Sequence, residues 1–180
     1  MSAKPLFQFP GQGSQAVGMG VNLAENFAEA RAVFAEVNDA LSEDLFTMMK
    51  DGPEDDLRLT RNAQPALFAS SMAALAVLRT ATGKNVADLA GCVAGHSLGE
   101  YSALAAAGTL SITDAARLLR QRGDSMQGAV PPGEGAMAAI LNAEESQIDE
   151  IIAEASAAGT IQLANDNAPG QIAVLSLIHI

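Results

Sequence analysis

Short apolar runs and longer periodic segments alternate along the chain as far as about residue 128. Residues 6–9 form one apolar run, which Pro10 and a glycine-bearing loop end, and residues 91–95 form another. Short apolar runs bounded by turn residues are typical of strands, and we expect the second one to lie in the interior of a sheet. Between them, apolar residues recur every three or four positions from 27 to 41, which predicts an amphipathic helix.

Further helices follow. A Gln-Pro pair at 64–65 opens a segment that is apolar on nearly every side, which predicts a buried helix. The run at 91–95 leads directly into an alanine-rich helix. Ser111 and Asp114 have the spacing of a capping box and begin another helix. That helix carries Arg117, Arg120 and Arg122. Strands and helices in this alternating order predict an α/β sheet.

The pattern restarts after a Val-Pro-Pro-Gly turn at residues 130–133, so we expect a domain boundary near residue 130. A strand-like run is followed there by a helix that Asn142 and Glu145 can cap and that Gly159 ends. Two more strand-like runs complete a small β-α-β-β unit. The strands are predicted at residues 136–141, 161–163 and 171–174.

Acidic residues outnumber basic ones by 21 to 10, for a formal net charge of −11. Binding to nucleic acid or to an anionic membrane surface is not expected, because phosphate groups need a basic footprint. No run approaches the roughly 20 apolar residues of a membrane span, and the first residues do not resemble a signal peptide. The single cysteine, Cys92, cannot form an internal disulfide and is expected to serve packing. These features predict a cytoplasmic protein.

Residues 95–99, Gly-His-Ser-Leu-Gly, match the Gly-x-Ser-x-Gly nucleophile elbow. In this motif a sharp strand-to-helix turn exposes the serine oxygen, and the two glycines let neighbouring chain pass closely. The apolar run before it and the helix after it supply the context that the motif requires. Ser97 is therefore a candidate nucleophile, and the N–H of Leu98 is a candidate donor to an oxyanion. A structural turn serine is the alternative interpretation.

An elbow alone suits a lipase as well as an acyltransferase, and two other features bear on that choice. The glycine-bearing loop after the first strand can present a backbone N–H to the same oxyanion. Arg122 lies 25 residues after Ser97, on the helix that Ser111 begins. A guanidinium can hold a carboxylate through two hydrogen bonds. An arginine near a nucleophile suggests an acyl substrate with a free carboxylate. A solvated helix charge is the other interpretation of Arg122.

Six motifs occur along the chain in a fixed order. They are Gly-Gln-Gly-Ser-Gln at 11–15, Gln-Pro-Ala at 64–66, Gly-His-Ser-Leu-Gly-Glu-Tyr-Ser-Ala at 95–103, Arg-Gly at 122–123, Gly-Ala-Met-Ala-Ala at 135–139 and Asn-Ala-Pro-Gly-Gln at 167–171. Together they resemble the malonyl-CoA:acyl carrier protein transacylase family, and the resemblance runs from residue 6 to about residue 174.

The resemblance implies an α/β fold with an α/β-hydrolase-like large subdomain, residues 1–130, and a ferredoxin-like small subdomain, residues 131–174, both incomplete here. It also implies ping-pong transfer in fatty acid biosynthesis. A malonyl group passes from malonyl-CoA, the co-substrate, to the serine and then to the phosphopantetheine thiol of acyl carrier protein. No tightly bound cofactor and no metal are implied, and we expect the full-length protein to be a monomer.

Matched position by position, the resemblance implies roles for the candidate residues. Ser97 corresponds to the nucleophile and Arg122 to the clamp for the malonyl carboxylate. The backbone N–H groups of Gln12 and Leu98 correspond to the oxyanion hole. The alternative for Gln12 is an ordinary turn residue.

Two further residues are implied in substrate binding. His96 corresponds to a residue of the acyl pocket, with a satisfied core histidine as the alternative. Asn167 corresponds to a position in the small subdomain near the cleft.

The chain departs from the family pattern in its histidines and at its end. The family's general base is a histidine in a Pro-Ser-His context, oriented by a glutamine, and neither is matched. The elbow should turn His96 away from the hydroxyl, and His179 lacks that context. Residues 175–180 also differ, so we expect an atypical tail and a truncated chain with feeble malonyl transfer.

Other functions stay open at this point. The chain could serve a polyketide pathway as an acyltransferase, or it could be a carboxylesterase on the same fold. In an esterase, water would replace the carrier thiol and Arg122 would have no evident purpose. A catalytically inactive fragment that binds carrier protein is the non-enzyme alternative.

Overall fold

The structure is a computed structural model that describes residues 4–129 and 134–176. The chain divides into two compact units, Met1–Met126 and Gln127–Ile180. The described part of each unit contains a small β-sheet together with helices. The protein is therefore a mixed α/β protein, as the alternation of patterns predicts.

Helices make up most of the chain before residue 129. They are α1 (Val21–Asn26), α2 (Ala28–Leu41), α3 (Leu45–Asp51), α4 (Glu54–Arg58), α5 (Thr60–Thr82), α6 (Val86–Leu89), α7 (Leu98–Ala106) and α8 (Ile112–Gly128). The periodic segment at 27–41 forms α2, and the Ser111 hydroxyl accepts a hydrogen bond from the Asp114 N–H at the start of α8. Both predictions are confirmed.

The predicted buried helix is α5, which begins earlier than expected, at Thr60, and so carries Pro65 inside it. Residues 62–69 are buried without interruption, because α2 and α7 pack against this helix. By length and composition α5 is apolar enough to cross a membrane. Its burial among the other helices is that of a core helix.

The sheet of the first unit pairs β1 (Leu6–Phe9) with β2 (Cys92–Gly95) in parallel. Phe9 lies opposite Gly95, so the chain leaves both strands at the same edge of the sheet. The expectation of an interior strand is wrong for β2, because among the described strands it pairs with β1 alone. Cys92 is accordingly exposed and does not serve packing.

The second unit has a three-stranded antiparallel sheet in the order β3 (Ala136–Leu141), β5 (Gln171–Ser176), β4 (Ile161–Ala168), with α9 (Glu145–Ser156) between β3 and β4 in the sequence. The predicted β-α-β-β order is confirmed, and β4 and β5 are longer than predicted. The core of this unit consists of Ile148, Ile172 and Val174, with partly buried alanine and isoleucine side chains packed around them.

Two details of the second unit differ from expectation. Glu144, with Gln147 three residues later, forms the capping box of α9 in place of Asn142 and Glu145. Leu175 and Ser176, expected in a 175–180 tail, continue β5, where Ser176 is buried and lies opposite Ala136. Residues 177–180 lie outside the described residues.

Candidate active site

The turn between β2 and α7 holds Ser97 in a conformation that non-glycine residues rarely adopt, with φ 57° and ψ −115°. A Cβ at Gly95 would collide with the carbonyl of Gly99. A Cβ at Gly99 would lie 2.6 Å from the carbonyl oxygen of Phe9. The close approach expected at both glycines is confirmed. Backbone strain of this kind is concentrated at functional sites.

The loop after β1 lies beside this turn. The chain at Phe9 touches Gly99, and a Cβ at Gly11 would lie 3.3 Å from the carbonyl oxygen of His96. Gln12 follows directly in this loop. Leu98 is the first residue of α7, so its N–H has no partner within the helix. Backbone donors from the loop and from the helix N-terminus therefore occupy neighbouring stretches of chain.

The Arg122 side chain reaches the serine from α8. Its Nη2 donates a hydrogen bond to the Ser97 Oγ at 2.9 Å, and its Nη1 donates to the Gln64 Oε1 at 2.5 Å. The guanidinium is partly buried there. The structure thus brings together a hydroxyl on a strained turn and a permanent positive charge, which were predicted separately from the sequence.

Gly123 makes this approach possible, because it lets α8 pass close to the first turn of α5. A Cβ at this position would lie 2.5 Å from the Arg61 Cα and 3.0 Å from the Thr60 carbonyl oxygen. These are backbone atoms, which cannot move aside as a flexible side chain does. The Arg-Gly pair at 122–123 therefore joins a functional side chain to the glycine that positions it.

The other predicted site residues lie in different surroundings. His96 is exposed, and a Cβ at Gly11 would lie 3.5 Å from its Nδ1, so its imidazole stands beside the loop that carries Gln12. Asn167 is exposed on β4 of the second unit. His179 lies outside the described residues. Within residues 4–129 and 134–176, no group of three or more His, Cys, Asp or Glu could hold a metal ion.

Comparison with known protein families shows to which family the chain belongs. The model of the acyl transferase domain matches residues 6–174. The chain belongs to the acyl transferase domain family.

Members with known names and structures are similar to this acyl transferase domain over nearly all of its length. It is 44% identical over 173 residues to the malonyl CoA-acyl carrier protein transacylase of Bacillus subtilis (strain 168), covering 96% of this chain and 53% of that protein. The crystal structure of acyl-carrier-protein-S-malonyltransferase from Bartonella henselae shares 54% identity with a TM-score of 0.89, covering 96% of this chain and 55% of that one.

A second similar structure contains a partner. It is a malonyl-transacylase in complex with its type II PKS acyl-carrier protein, with 40% identity, a TM-score of 0.86, and coverage of 97% of this chain and 55% of that one. The acyl transferase domain described here spans about half the length of these relatives.

Sequence reasoning assigned no role to Gln64, although it lies within the site of this acyl transferase domain. Its side chain is fully buried, and its Oε1 holds the Arg122 guanidinium. Its Nε2 donates to the Thr60 Oγ1 at 2.9 Å and to the Met126 Sδ at 3.3 Å. A polar amide among the apolar residues of 63–69 was the available signal, because buried polar groups must be hydrogen-bonded and so indicate a specific partner.

Proposed function

We propose that this acyl transferase domain belongs to a malonyl-CoA:acyl carrier protein transacylase of fatty acid biosynthesis. One observation carries the proposal: the Arg122 Nη2 lies 2.9 Å from the Ser97 Oγ. A permanent cation beside a nucleophile favours an acyl group that ends in a carboxylate. A malonyl thioester has that carboxylate close to the carbon that the serine attacks.

In the first half-reaction, the Ser97 oxygen attacks the thioester carbonyl carbon of malonyl-CoA. The carbonyl oxygen becomes an oxyanion that the N–H groups of Gln12 and Leu98 stabilise. The C–S bond then breaks, and a seryl ester forms. Coenzyme A leaves as the thiol after taking up the proton that the serine hydroxyl has lost.

Arg122 selects the acyl group in this scheme. Without substrate its Nη2 donates to Ser97, and with substrate we propose that the same N–H groups turn to the malonyl carboxylate. The Gln64 carbonyl oxygen holds Nη1, so the guanidinium keeps one fixed edge. An uncharged acyl group gives the guanidinium no anionic partner, which lowers its relative affinity.

In the second half-reaction, the phosphopantetheine thiol of acyl carrier protein attacks the seryl ester, the C–O bond breaks and Ser97 regains its proton. The proposal includes the two-subdomain arrangement expected from the sequence, with a hydrolase-like and a ferredoxin-like part. His96 and Asn167 are proposed to contact the acyl substrate. A cytoplasmic monomer without a tightly bound cofactor completes the proposal.

The nucleophile is tested by covalent labelling. We expect that incubation with radiolabelled malonyl-CoA, followed by acid quenching, leaves a slowly formed malonyl label of at most one group per chain, read by intact mass and radioactivity. Ser97→Ala should abolish the label. Ser125→Ala is the matched control, since it removes an exposed hydroxyl of α8 that donates to the Gln121 carbonyl. Label that persists in Ser97→Ala would exclude this serine as the nucleophile.

The carboxylate clamp is tested by Arg122→Met. Removal of a charge-assisted hydrogen bond pair should lower the rate of Ser97 acylation by malonyl-CoA roughly 10- to 150-fold while sparing acetyl-CoA. Arg117→Met is the control on the same helix, where the Arg117 Nε donates to the Ala40 carbonyl oxygen at 3.1 Å. An equal loss for both thioesters would mean that Arg122 does not hold the carboxylate.

Polyketide synthesis is the second candidate, favoured by the similar structure that contains a type II PKS acyl-carrier protein. Both pathways use the same malonyl seryl ester, so the carrier decides between them. Transfer of the label from Ser97 to a fatty acid carrier at least tenfold faster than to a polyketide carrier would support our assignment. The reverse ratio would replace it.

A further inference from the structure

A chain of hydrogen bonds connects the elbow serine to the loop after β1. Arg122 donates to Ser97 at 2.9 Å and to Gln64 at 2.5 Å. Gln64 donates to the Thr60 Oγ1 at 2.9 Å, and the Thr60 hydroxyl donates to the Gln12 Oε1 at 2.8 Å. Thr60 is the first residue of α5, and within this series of hydrogen bonds it is the residue that links Gln64 to Gln12.

The direction of donation along this series of hydrogen bonds is fixed at the Arg122 end. A guanidinium donates hydrogen bonds and accepts none, so the Gln64 carbonyl oxygen must face Arg122. The Gln64 NH₂ group then faces Thr60, whose oxygen accepts and whose single hydrogen is left for Gln12. Each group therefore has one orientation that satisfies both neighbours, and connected hydrogen bonds of one polarity strengthen each other.

We infer that Thr60 is a positioning residue that joins the Gln12 loop to the Gln64–Arg122 pair. This inference rests on the proposed function, in which Gln12 supplies an oxyanion donor and Arg122 holds the carboxylate. Through Thr60, the donor that stabilises the oxyanion and the cation that selects the acyl group share one hydrogen-bonded support.

The burial of Gln64 makes its orientation depend on Thr60. Its side chain is 0% exposed, so water does not replace a lost partner. Without the hydroxyl, its NH₂ group keeps only the Met126 sulfur at 3.3 Å, which is a weak acceptor. The amide can then rotate and direct its NH₂ group toward the guanidinium, where two donors repel each other. Arg122 would then lose the hydrogen bond from its Nη1 to the Gln64 Oε1, although Arg122 itself is not substituted.

Binding of unreactive thioester analogues tests the inference without a chemical step. The probes are malonyl-carba(dethia)-CoA and acetyl-carba(dethia)-CoA, and the measurement is the dissociation constant by calorimetry. Thr60→Val removes the hydroxyl at constant shape and should weaken binding of the malonyl probe about fivefold, the effect of one hydrogen bond. Binding of the acetyl probe should change less than twofold. Thr60→Ser, which restores a hydroxyl, should return the malonyl probe to within twofold of the parent.

Thr80→Val is the matched control, because it makes the same change on the same helix about 30 Å from Thr60 at 1.5 Å per residue. It should leave both dissociation constants unchanged. A threonine that only stabilised α5 would give Thr60→Val a lower melting temperature without a change in the malonyl-to-acetyl ratio, and that result would overturn the inference.

A double-mutant cycle tests whether Thr60 joins the two sides. Gln12→Leu keeps the backbone N–H and removes the side-chain acceptor. It should lower the malonyl preference in the parent protein and have no further effect in Thr60→Val, because the link is already broken. Equal effects in both backgrounds would show that no such link exists. A parent protein without malonyl preference would instead contradict the proposed function itself.

Discussion

Arg120 and Arg122 lie two residues apart on α8 and occupy opposite kinds of environment. Arg120 is 9% exposed and donates to the Arg61 carbonyl and to the Asn62 Oδ1, both at 2.6 Å, and to the Glu43 carboxylate at 2.5 Å. Arg122 is held by one neutral amide and one hydroxyl. The charge of Arg120 is paired with a carboxylate, whereas the contacts of Arg122 are with neutral groups, as the proposed carboxylate clamp requires.

The Arg120 region shows how α5 creates an acceptor. Pro65 has no N–H, so the Arg61 carbonyl four residues earlier lacks its helical partner, and Arg120 donates to it instead. Burial lowers the pKa of the Arg120 guanidinium, and the Glu43 carboxylate opposes that shift. The Arg120 Nε is buried without a hydrogen-bond partner in the described structure. The Arg120 side chain therefore links α8 to α5 and to Glu43, and its hydrogen bonds are made within the protein.

Gly123→Ala should change stability and acyl preference together more than any other substitution in this region, because both arginines depend on the same close contact between α8 and α5. The new methyl group would lie 2.5 Å from the Arg61 Cα, which forces the helices apart. Overpacking against backbone costs about 3 kcal/mol in the free energy of unfolding. Separation of the helices would also weaken both the Arg120–Arg61 and the Arg122–Gln64 hydrogen bonds.

Urea denaturation followed by far-UV circular dichroism measures the loss of stability in Gly123→Ala. The malonyl-to-acetyl ratio of Ser97 acylation measures the effect of the weakened Arg122–Gln64 hydrogen bond. Gly128→Ala is the control on the same helix, since a Cβ there meets nothing within 4 Å. If Gly123→Ala behaved like Gly128→Ala in both measurements, the close packing of α8 on α5 would not position either arginine.

The difference between the two arginines also marks what the sequence could predict. The elements carrying the site were largely predictable, because β1 and β2 follow from local apolar patterns and turn residues, and the start of α8 follows from its capping box. The proximity of Arg122 to Ser97 came from the family resemblance, since the periodicity of α8 does not state which side chain reaches a residue of another element. Nothing in the local pattern distinguishes Arg120 from Arg122.

What the sequence missed depends on partners distant in the chain. Gln64 and Thr60 act through hydrogen bonds to Arg122 and Gln12, at separations of 58 and 48 residues. The exposure of Cys92 depends on how many strands flank β2, which a single strand pattern does not contain. Local patterns predict an element and its buried face, whereas side-chain networks between elements require the fold.

An intermediate effect is expected from Arg120→Met, which keeps the apolar stem and removes the guanidinium. The Asn62 amide oxygen and the Arg61 carbonyl would lose their donor in a buried region, at about 2 kcal/mol in the free energy of unfolding. The malonyl-to-acetyl ratio of Ser97 acylation should stay within twofold of the parent. Far-UV circular dichroism in urea and the acylation assay give the two quantities.

Arg120→Lys sharpens this prediction, because an ammonium keeps the charge and lacks the planar fork that serves three acceptors. It should recover less than half of the stability that Arg120→Met loses. A shift in acyl preference for Arg120→Met as large as that for Arg122→Met would erase the distinction between a structural and a functional arginine on this helix.

The smallest effect should come from Asp124→Asn, at the exposed margin of the same helix contact. The Asp124 carboxylate accepts from the Arg61 Nε at 2.7 Å, and this hydrogen bond raises the pKa of Arg61. Both side chains are more than 40% exposed, so water and salt screen the pair and its contribution is about 0.5 kcal/mol. Urea denaturation at 0.05 M and 1 M NaCl should show a small destabilisation that disappears at high salt, because the Debye length falls to about 3 Å.

Glu25→Gln removes an exposed carboxylate elsewhere on the same unit and controls for net charge. A loss that persisted at 1 M NaCl, or a change in acyl preference, would mean that the margin of the contact contributes to positioning Arg122 as the buried Gln64 does.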